Sequence, residues 1–237
     1  MNFEEFWTRG DLHKRVNIAL KEANLLEKKL EIEDLFPLDQ YHARGIAATI
    51  ELADKLNFSK NSTIIDIGCG LGGPARYFSK RFNCNVYGID ITEAFIEIGN
   101  YFNKLTHIDH QVTLLKGDGE NLPYQTEFFD GAVSQHVTMN IENREQFFNE
   151  AFRVLKKGAI FGFSEHGLGT KGSPIFPLPW ADNEDMSFLK TPEYTKSLLK
   201  KIGFKNIKII STGEKYISGY NSLLKKGQSN EKPTLGI

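Results

Sequence analysis

Asp66, Asp90, Asp118, His136 and Glu165 stand where side-chain chemistry and chain geometry coincide. Asp66 lies inside the apolar run Thr63–Ile67, where a carboxylate is costly unless a partner offsets its desolvation. Gly68, Gly70, Gly72 and Gly73 follow at once, in G-x-G-x-x-G spacing. Glycine tolerates positive φ and lets a ligand approach bare backbone. Pro74 then suits the first turn of a helix, whose exposed N–H groups favour negative ligand groups. Asp90 closes a second apolar run, Cys84–Ile89, roughly 20 residues after Gly68, the spacing that sets a carboxylate on ribose hydroxyls. Asp118 follows a third run, Val112–Lys116, within GDGENLPY, placed to accept from an adenine amino group.

The glycine string alone suits a nicotinamide or flavin enzyme equally. Asp66 separates the possibilities, because it repels a pyrophosphate and attracts an ammonium. Acids at three successive strand ends suit a ligand with ammonium, ribose and adenine but no phosphate, and S-adenosylmethionine is such a ligand. Ile91, directly after Asp90, is placed against adenine or in the core. Gln135 and His136 leave a fourth strand at its C-terminal end, the edge where open α/β sheets bind ligands. Methyl transfer releases a neutral thioether and needs no acid. An alcohol or ammonium acceptor does need a base, and imidazole, with a reference pKa of about 6.5, suits that role. The competing reading of His136 is an orienting loop residue. Glu165 and His166 end a fifth strand at the same edge, as a base, an amine contact or a solvated pair.

With DIGCGLGGPARY, GIDIT, GDGENLPY, FD and SQHVTMNI in place, the sequence resembles the class I S-adenosylmethionine-dependent methyltransferases. It is similar to the small-molecule types that act on sterols, tocopherols, sarcosine or dimethylglycine, and phosphoethanolamine. The resemblance spans roughly Asp39 to Phe204. It implies an α/β fold with a doubly wound, mostly parallel sheet and an N-terminal helical cap. It implies cofactor contacts at Tyr41, Asp66, Gly68, Cys69, Gly70, Asp90, Ile91, Asp118, Gly119 and Gln135 and no metal, while His136 and Glu165 are the catalytic candidates by their strand-end positions. LDQYHARG, holding Tyr41 and His42, resembles the cofactor-covering segment. Such sheets usually end in an antiparallel seventh strand, and none is visible before GQSNEKPTLGI.

These residues need elements to hold them. The 237 residues divide into a helical cap at 1–57, a core at 58–211 with a substrate loop at 167–190, and a tail at 212–237 that is mobile from Lys225. Asp11 caps a helix reaching Asn24, and a second helix spans Gln40–Leu56. Asn143–Val154 is an amphipathic helix ended by Gly158, with Phe147, Phe148, Ala151, Phe152 and Leu155 on its buried side. Ala159–Ser164 is the fifth strand and Asn206–Ile210 a sixth. Thr191-Pro192-Glu193 opens a helix that Gly203 closes. Phe176, Trp180 and Phe188 suit a lid over a substrate, including a quaternary ammonium. A net charge of −1 gives no global attraction to nucleic acid or anionic membrane. Two cysteines without metal-ligand spacing, no spanning apolar run and an acidic aromatic N-terminus point to the cytoplasm and against membrane insertion. The expected partner is a small-molecule methyl acceptor. The rivals are a nicotinamide oxidoreductase and a cofactor-binding protein without activity.

Overall fold

The structure, a computed structural model, describes residues 3–8, 11–26, 29–40, 42, 44–169 and 172–228. Strands β1 (Thr63–Ile67), β2 (Asn85–Asp90), β3 (Val112–Lys116), β4 (Phe129–Gln135) and β5 (Leu155–Ser164) form one parallel sheet in the order β3-β2-β1-β4-β5. The direction of winding reverses between β1 and β4. Open α/β sheets bind ligands in the crevice outside the C-terminal edge at such a reversal, and Asp66 on β1 and Gln135 at the end of β4 flank that point.

Side chains on β1 alternate between two cores, as a two-residue repeat dictates. Ile64 packs with Phe78, Val86, Val112 and Val133 on one face. Ile65 and Ile67 pack with Phe129, Phe147, Phe148 and Leu198 on the other. Phe147 and Phe148 are fully buried, each worth about 1.5–3 kcal/mol of apolar transfer.

The helices are α1 (Phe3–Trp7), α2 (Leu12–Glu22), α3 (Phe36–Asp39), α4 (Ile46–Ala53), α5 (Gly73–Phe82), α6 (Glu93–Leu105), α7 (Arg144–Val154), α8 (Pro192–Ile202) and α9 (Gly213–Gln228). The Asp11 side chain accepts from Lys14 N and caps α2, whose Leu12, Val16, Ala19 and Leu20 are buried against α6 residues Ile98 and Phe102. The cap is also pinned to the glycine loop. Asp39 Oδ2 accepts from Arg76 Nη2 at 2.9 Å, and both side chains are buried. Arg76 also donates to Leu71 O at 2.5 Å and Asn103 Oδ1 at 2.6 Å. Burial lifts the Asp39 carboxyl to about 6 against the opposing pull of Arg76.

Several expectations change. The second cap helix is shorter, Ile46–Ala53. Helix α7 runs directly into β5 at Leu155, so Gly158 is not a helix terminator. Gly158 has φ 80 and lies where the β4–β5 register slips, between Phe129↔Leu155 and Gly131↔Ile160. Phe152 is exposed, with its ring edge-on to Phe204 at 5.0 Å. Asn206–Ile210 is not a strand: with no sheet neighbour its apolar pattern has nothing to pair with. Residues 213–228 form a helix rather than a tail, so Lys225–Gln228 are helical, and 229–237 lie outside the described residues. Among the described residues the sheet holds no antiparallel strand. Among the described residues of 167–190 the chain is irregular apart from a turn closed by Leu178 and Ala181 and another at Glu184–Met186, and it packs Trp180, Ala181 and Met186 on Met139, with Phe6 and Trp7 against them.

Candidate active site

The cofactor side is built by one strand–loop–helix–strand unit. Gly68 N and Cys69 N both donate to Ile89 O, at 2.7 and 3.0 Å, folding the loop back on β2. Gly68 has φ 80, and a Cβ there would overlap Cγ2 of Val137. Gly70, with φ 52, has open space on its Cβ side, and its N–H donates to Asp90 Oδ2 at 2.9 Å. Asp90 Oδ1 accepts from Thr92 N at 2.9 Å. Burial raises the Asp90 carboxyl pKa, and these two bonds oppose the rise.

Asp66 is buried and its Oδ2 has no hydrogen-bond partner. Burial, then the charge of Asp90, pushes its carboxyl up to about 7. A bare, buried acid oxygen fits a ligand that brings positive charge. Ile91 is 52% exposed, an apolar face left open next to Asp90.

The other cofactor candidates divide. Asp118 is exposed, and its Oδ1 accepts from Glu120 N at 2.8 Å, so it shapes its own turn. Gly119 is fixed by packing, since a Cβ there would stand 2.9 Å from Phe147 and 3.0 Å from Ile67. Cys69 is buried, and burial pushes its thiol well up. Tyr41 lies outside the described residues.

Across the crevice, Gln135 and His136 leave β4. Gln135 Nε2 stands 3.5 Å from His42 Nε2, and its buried Oε1 has no partner. His42 also meets Thr49 Oγ1 at 3.1 Å, and Thr49 donates to Gln40 Oε1 at 2.6 Å, so the cap reaches the site through polar groups. His136 has φ 56, a conformation rare for non-glycine residues that persists only when surroundings impose it. Its N–H donates to Ser164 O at 2.8 Å, continuing the β4–β5 ladder by one residue.

The His136 ring stacks on His42 at 5.3 Å and tilts against His166 at 4.7 Å, while His166 stacks on Trp180 at 4.5 Å. His136 Nε2 lies 2.6 Å from Tyr216 Oη, and buried Nδ1 has no partner. Burial first, then His166 and His42, holds the His136 pKa well below 6.5. The ring is therefore neutral near pH 7. When Nε2–H donates to Tyr216, Nδ1 presents a bare lone pair. The expectation of an ordinary imidazole pKa is thus corrected downward.

Glu165 is more heavily engaged. Its Oε2 accepts from Arg144 Nη1 at 2.6 Å and from the Thr138 hydroxyl, and its Oε1 accepts from Thr195 Oγ1 at 3.1 Å. Arg144, itself buried, also donates to Thr138 O at 2.8 Å and Phe188 O at 3.2 Å. Glu165 is thus half of a largely buried ion pair that ties the turn after β4 to α8 and the 167–190 loop.

Sequence reading missed Arg144 and Tyr216. A signal existed for Arg144, because a cation in the first turn of a helix opposes the dipole and so calls for another partner. Tyr216, 80 residues from His136, carried none.

Residues 65–163 match the family described as Methyltransferase domain. The chain is 33% identical to sterol 24-C-methyltransferase of Candida albicans over 114 residues, covering 48% of this chain and 30% of that protein. It is 28% identical to sarcosine/dimethylglycine N-methyltransferase of Halorhodospira halochloris over 175 residues, 74% of this chain and 62% of that one. The chain thus spans less than two thirds of either relative. Phosphoethanolamine N-methyltransferase 2 of Haemonchus contortus, solved with S-adenosyl-L-methionine, superposes with a TM-score of 0.75 at 18% identity, over 97% of this chain and 50% of that one, a likeness of fold.

Proposed function

We propose that this chain, whose residues 65–163 match the family described as Methyltransferase domain, methylates a small-molecule acceptor with S-adenosylmethionine. The observation that carries the reading is the buried, unpartnered Oδ2 of Asp66 on the strand that leads into Gly70, whose Cβ side is open. That oxygen holds the ligand's ammonium, and binding restores Asp66 to its charged form. Asp90 keeps lone pairs for ribose hydroxyls, Ile91 lies against adenine, Asp118 meets the adenine amino group, and Gly68, Cys69, Gly119, Gln135 and Tyr41 complete the contacts. The bound cofactor supplies an electrophilic methyl group on a sulfonium sulfur.

His136 serves the acceptor. Its Nδ1 accepts the proton that a hydroxyl or ammonium acceptor must lose, while Tyr216 fixes the ring through Nε2. A depressed pKa makes His136 a weak base. That suffices for a hydroxyl, which turns strongly acidic as it gains the methyl group, whereas an ammonium must give up its proton before it has a lone pair to attack with. A nicotinamide dinucleotide fits poorly, because Asp66 repels its pyrophosphate.

No helix of the described residues is long and apolar enough to cross a membrane. Buried free thiols at Cys69 and Cys84 support a cytoplasmic setting. The test is turnover of labelled S-adenosylmethionine against a metabolite extract, with the product identified by mass spectrometry. A methylated metabolite that disappears in His136→Ala supports the reading. Cofactor binding without turnover across amines and alcohols indicates a binding protein instead.

A further inference from the structure

Arg44 and His136 share a left-handed backbone, with φ 71 and 56, and both side chains converge on Tyr216. His136 Nε2 meets the phenol oxygen at 2.6 Å. The Arg44 guanidinium carbon stands 5.6 Å from the centroid of the phenol ring. Behind Arg44 is Glu51, on α4. Its Oε1 accepts from Arg44 Nη2 at 2.6 Å and its Oε2 from Arg44 Nη1 at 3.0 Å, a two-pronged grip on a planar fork. The same Oε1 accepts from Lys215 Nζ at 2.8 Å, and Lys215 precedes Tyr216 on α9. One carboxylate therefore holds both the cation that faces the Tyr216 ring and the residue next to Tyr216. One turn further along α9, the space above Gly219 is closed by Cγ of Arg44 at 3.4 Å. Ile217 is 63% exposed, so this side chain adds little apolar grip.

We propose that Glu51 is a positioning residue that latches α9 onto the N-terminal cap and so sets the Tyr216 phenol on His136. This rests on the reading that His136 takes the acceptor's proton. The chain of action is Glu51 to Arg44 and Lys215, then to Tyr216, then to the orientation of the imidazole. Hydrogen bonds from Arg44, then Lys215, bring the Glu51 carboxyl down to about 2, so the latch is ionised at neutral pH. Its side chain is 34% exposed, so salt screens the pair and loosens the latch.

The test follows the ring nitrogens of His136 by NMR in the full chain with ¹⁵N-labelled histidine, independent of turnover. Tyr216→Phe defines the spectrum without the phenol bond. Glu51→Gln is expected to move the His136 signals toward that spectrum and to speed amide exchange in α9 by at least about threefold. Raising NaCl to about 0.5 M is expected to move the wild type the same way. Glu51→Asp is expected to restore part of the wild-type signal. Affinity for S-adenosylhomocysteine should not change in Glu51→Gln. Wild-type His136 signals in Glu51→Gln, or unchanged signals in Tyr216→Phe, would overturn the inference. A wild-type chain that fails to bind S-adenosylhomocysteine defeats the methyl-transfer reading, while the His136 signals still decide the latch.

Discussion

The two walls of the crevice are made differently. The proposed cofactor wall comes mostly from one continuous stretch, Asp66 to Thr92, in which Gly70 and Asp90 meet across a single strand–helix–strand unit, with Asp118, Gly119 and Gln135 added from elsewhere. The acceptor wall is gathered from residues far apart in the chain: His42 and Glu51 in the cap, His136 after β4, Trp180 in the loop and Tyr216 on α9. The first wall is built mainly by local backbone geometry, with Arg76 tied back to Asp39 of the cap. The second exists only when cap, loop and C-terminal helix are all docked, so it is the part that changes readily without disturbing cofactor chemistry.

The hardest blow to the acceptor wall is Arg144→Met. It strands the Glu165 carboxylate and removes bonds to Thr138 O and Phe188 O. Breaking one partner of a buried pair costs about 3–5 kcal/mol, so urea unfolding should reveal a chain near the edge of stability. Glu165→Gln breaks the same pair and should also lower the midpoint, whereas loss of turnover with an unchanged midpoint would point to Glu165 as the base. A smaller but shared loss is expected from Gly68→Ala, because the new Cβ meets Val137 and the backbone is left-handed. Strain of this kind costs about 1–3 kcal/mol, and Val137→Ala in the same chain should recover the packing part of it, as thermal melting can show.

Asp66→Asn should separate stability from binding. The raised folded pKa means that Asp66 favours the fold most below its unfolded value of 3.8, and that this contribution fades as pH rises through about 7. The ligand-free Asn variant should therefore melt higher than wild type above pH 7 and about equally near pH 4. The mildest effect is expected at His136. Its folded pKa lies well below 6.5, so its contribution to stability is present above pH 6.5 and is lost as pH falls below that. By the same depression the acid limb of the turnover profile should fall well under 6.5. A limb at 6.5 would mean that an exposed histidine, not His136, controls the rate.

The same contrast explains what the sequence made legible. Asp66, the glycine spacing, Asp90 and the Asp11 cap are local patterns whose geometry follows from a few residues. Gly203 likewise ends α8 with φ 125, as expected. Gly158 misled because positive φ serves a strand irregularity as well as a helix end. Asn206–Ile210 misled because a strand needs a neighbour, which no single segment can announce. At Glu165, position at a strand end does not show what else reaches the carboxylate, and Arg144 is 21 residues away. Tyr216 was out of reach for the same reason, at much larger separation.

The most direct test is calorimetric titration of the intact chain and of Asp66→Asn with S-adenosylhomocysteine, and with NADH in parallel. Charge-assisted contacts contribute roughly 1.5–3 kcal/mol, so the Asn variant should lose about tenfold or more in affinity while remaining folded, and NADH should give no heat of binding. Equal affinity in the two proteins, or binding of NADH in place of S-adenosylhomocysteine, would contradict the assignment of Asp66 to a cationic cofactor.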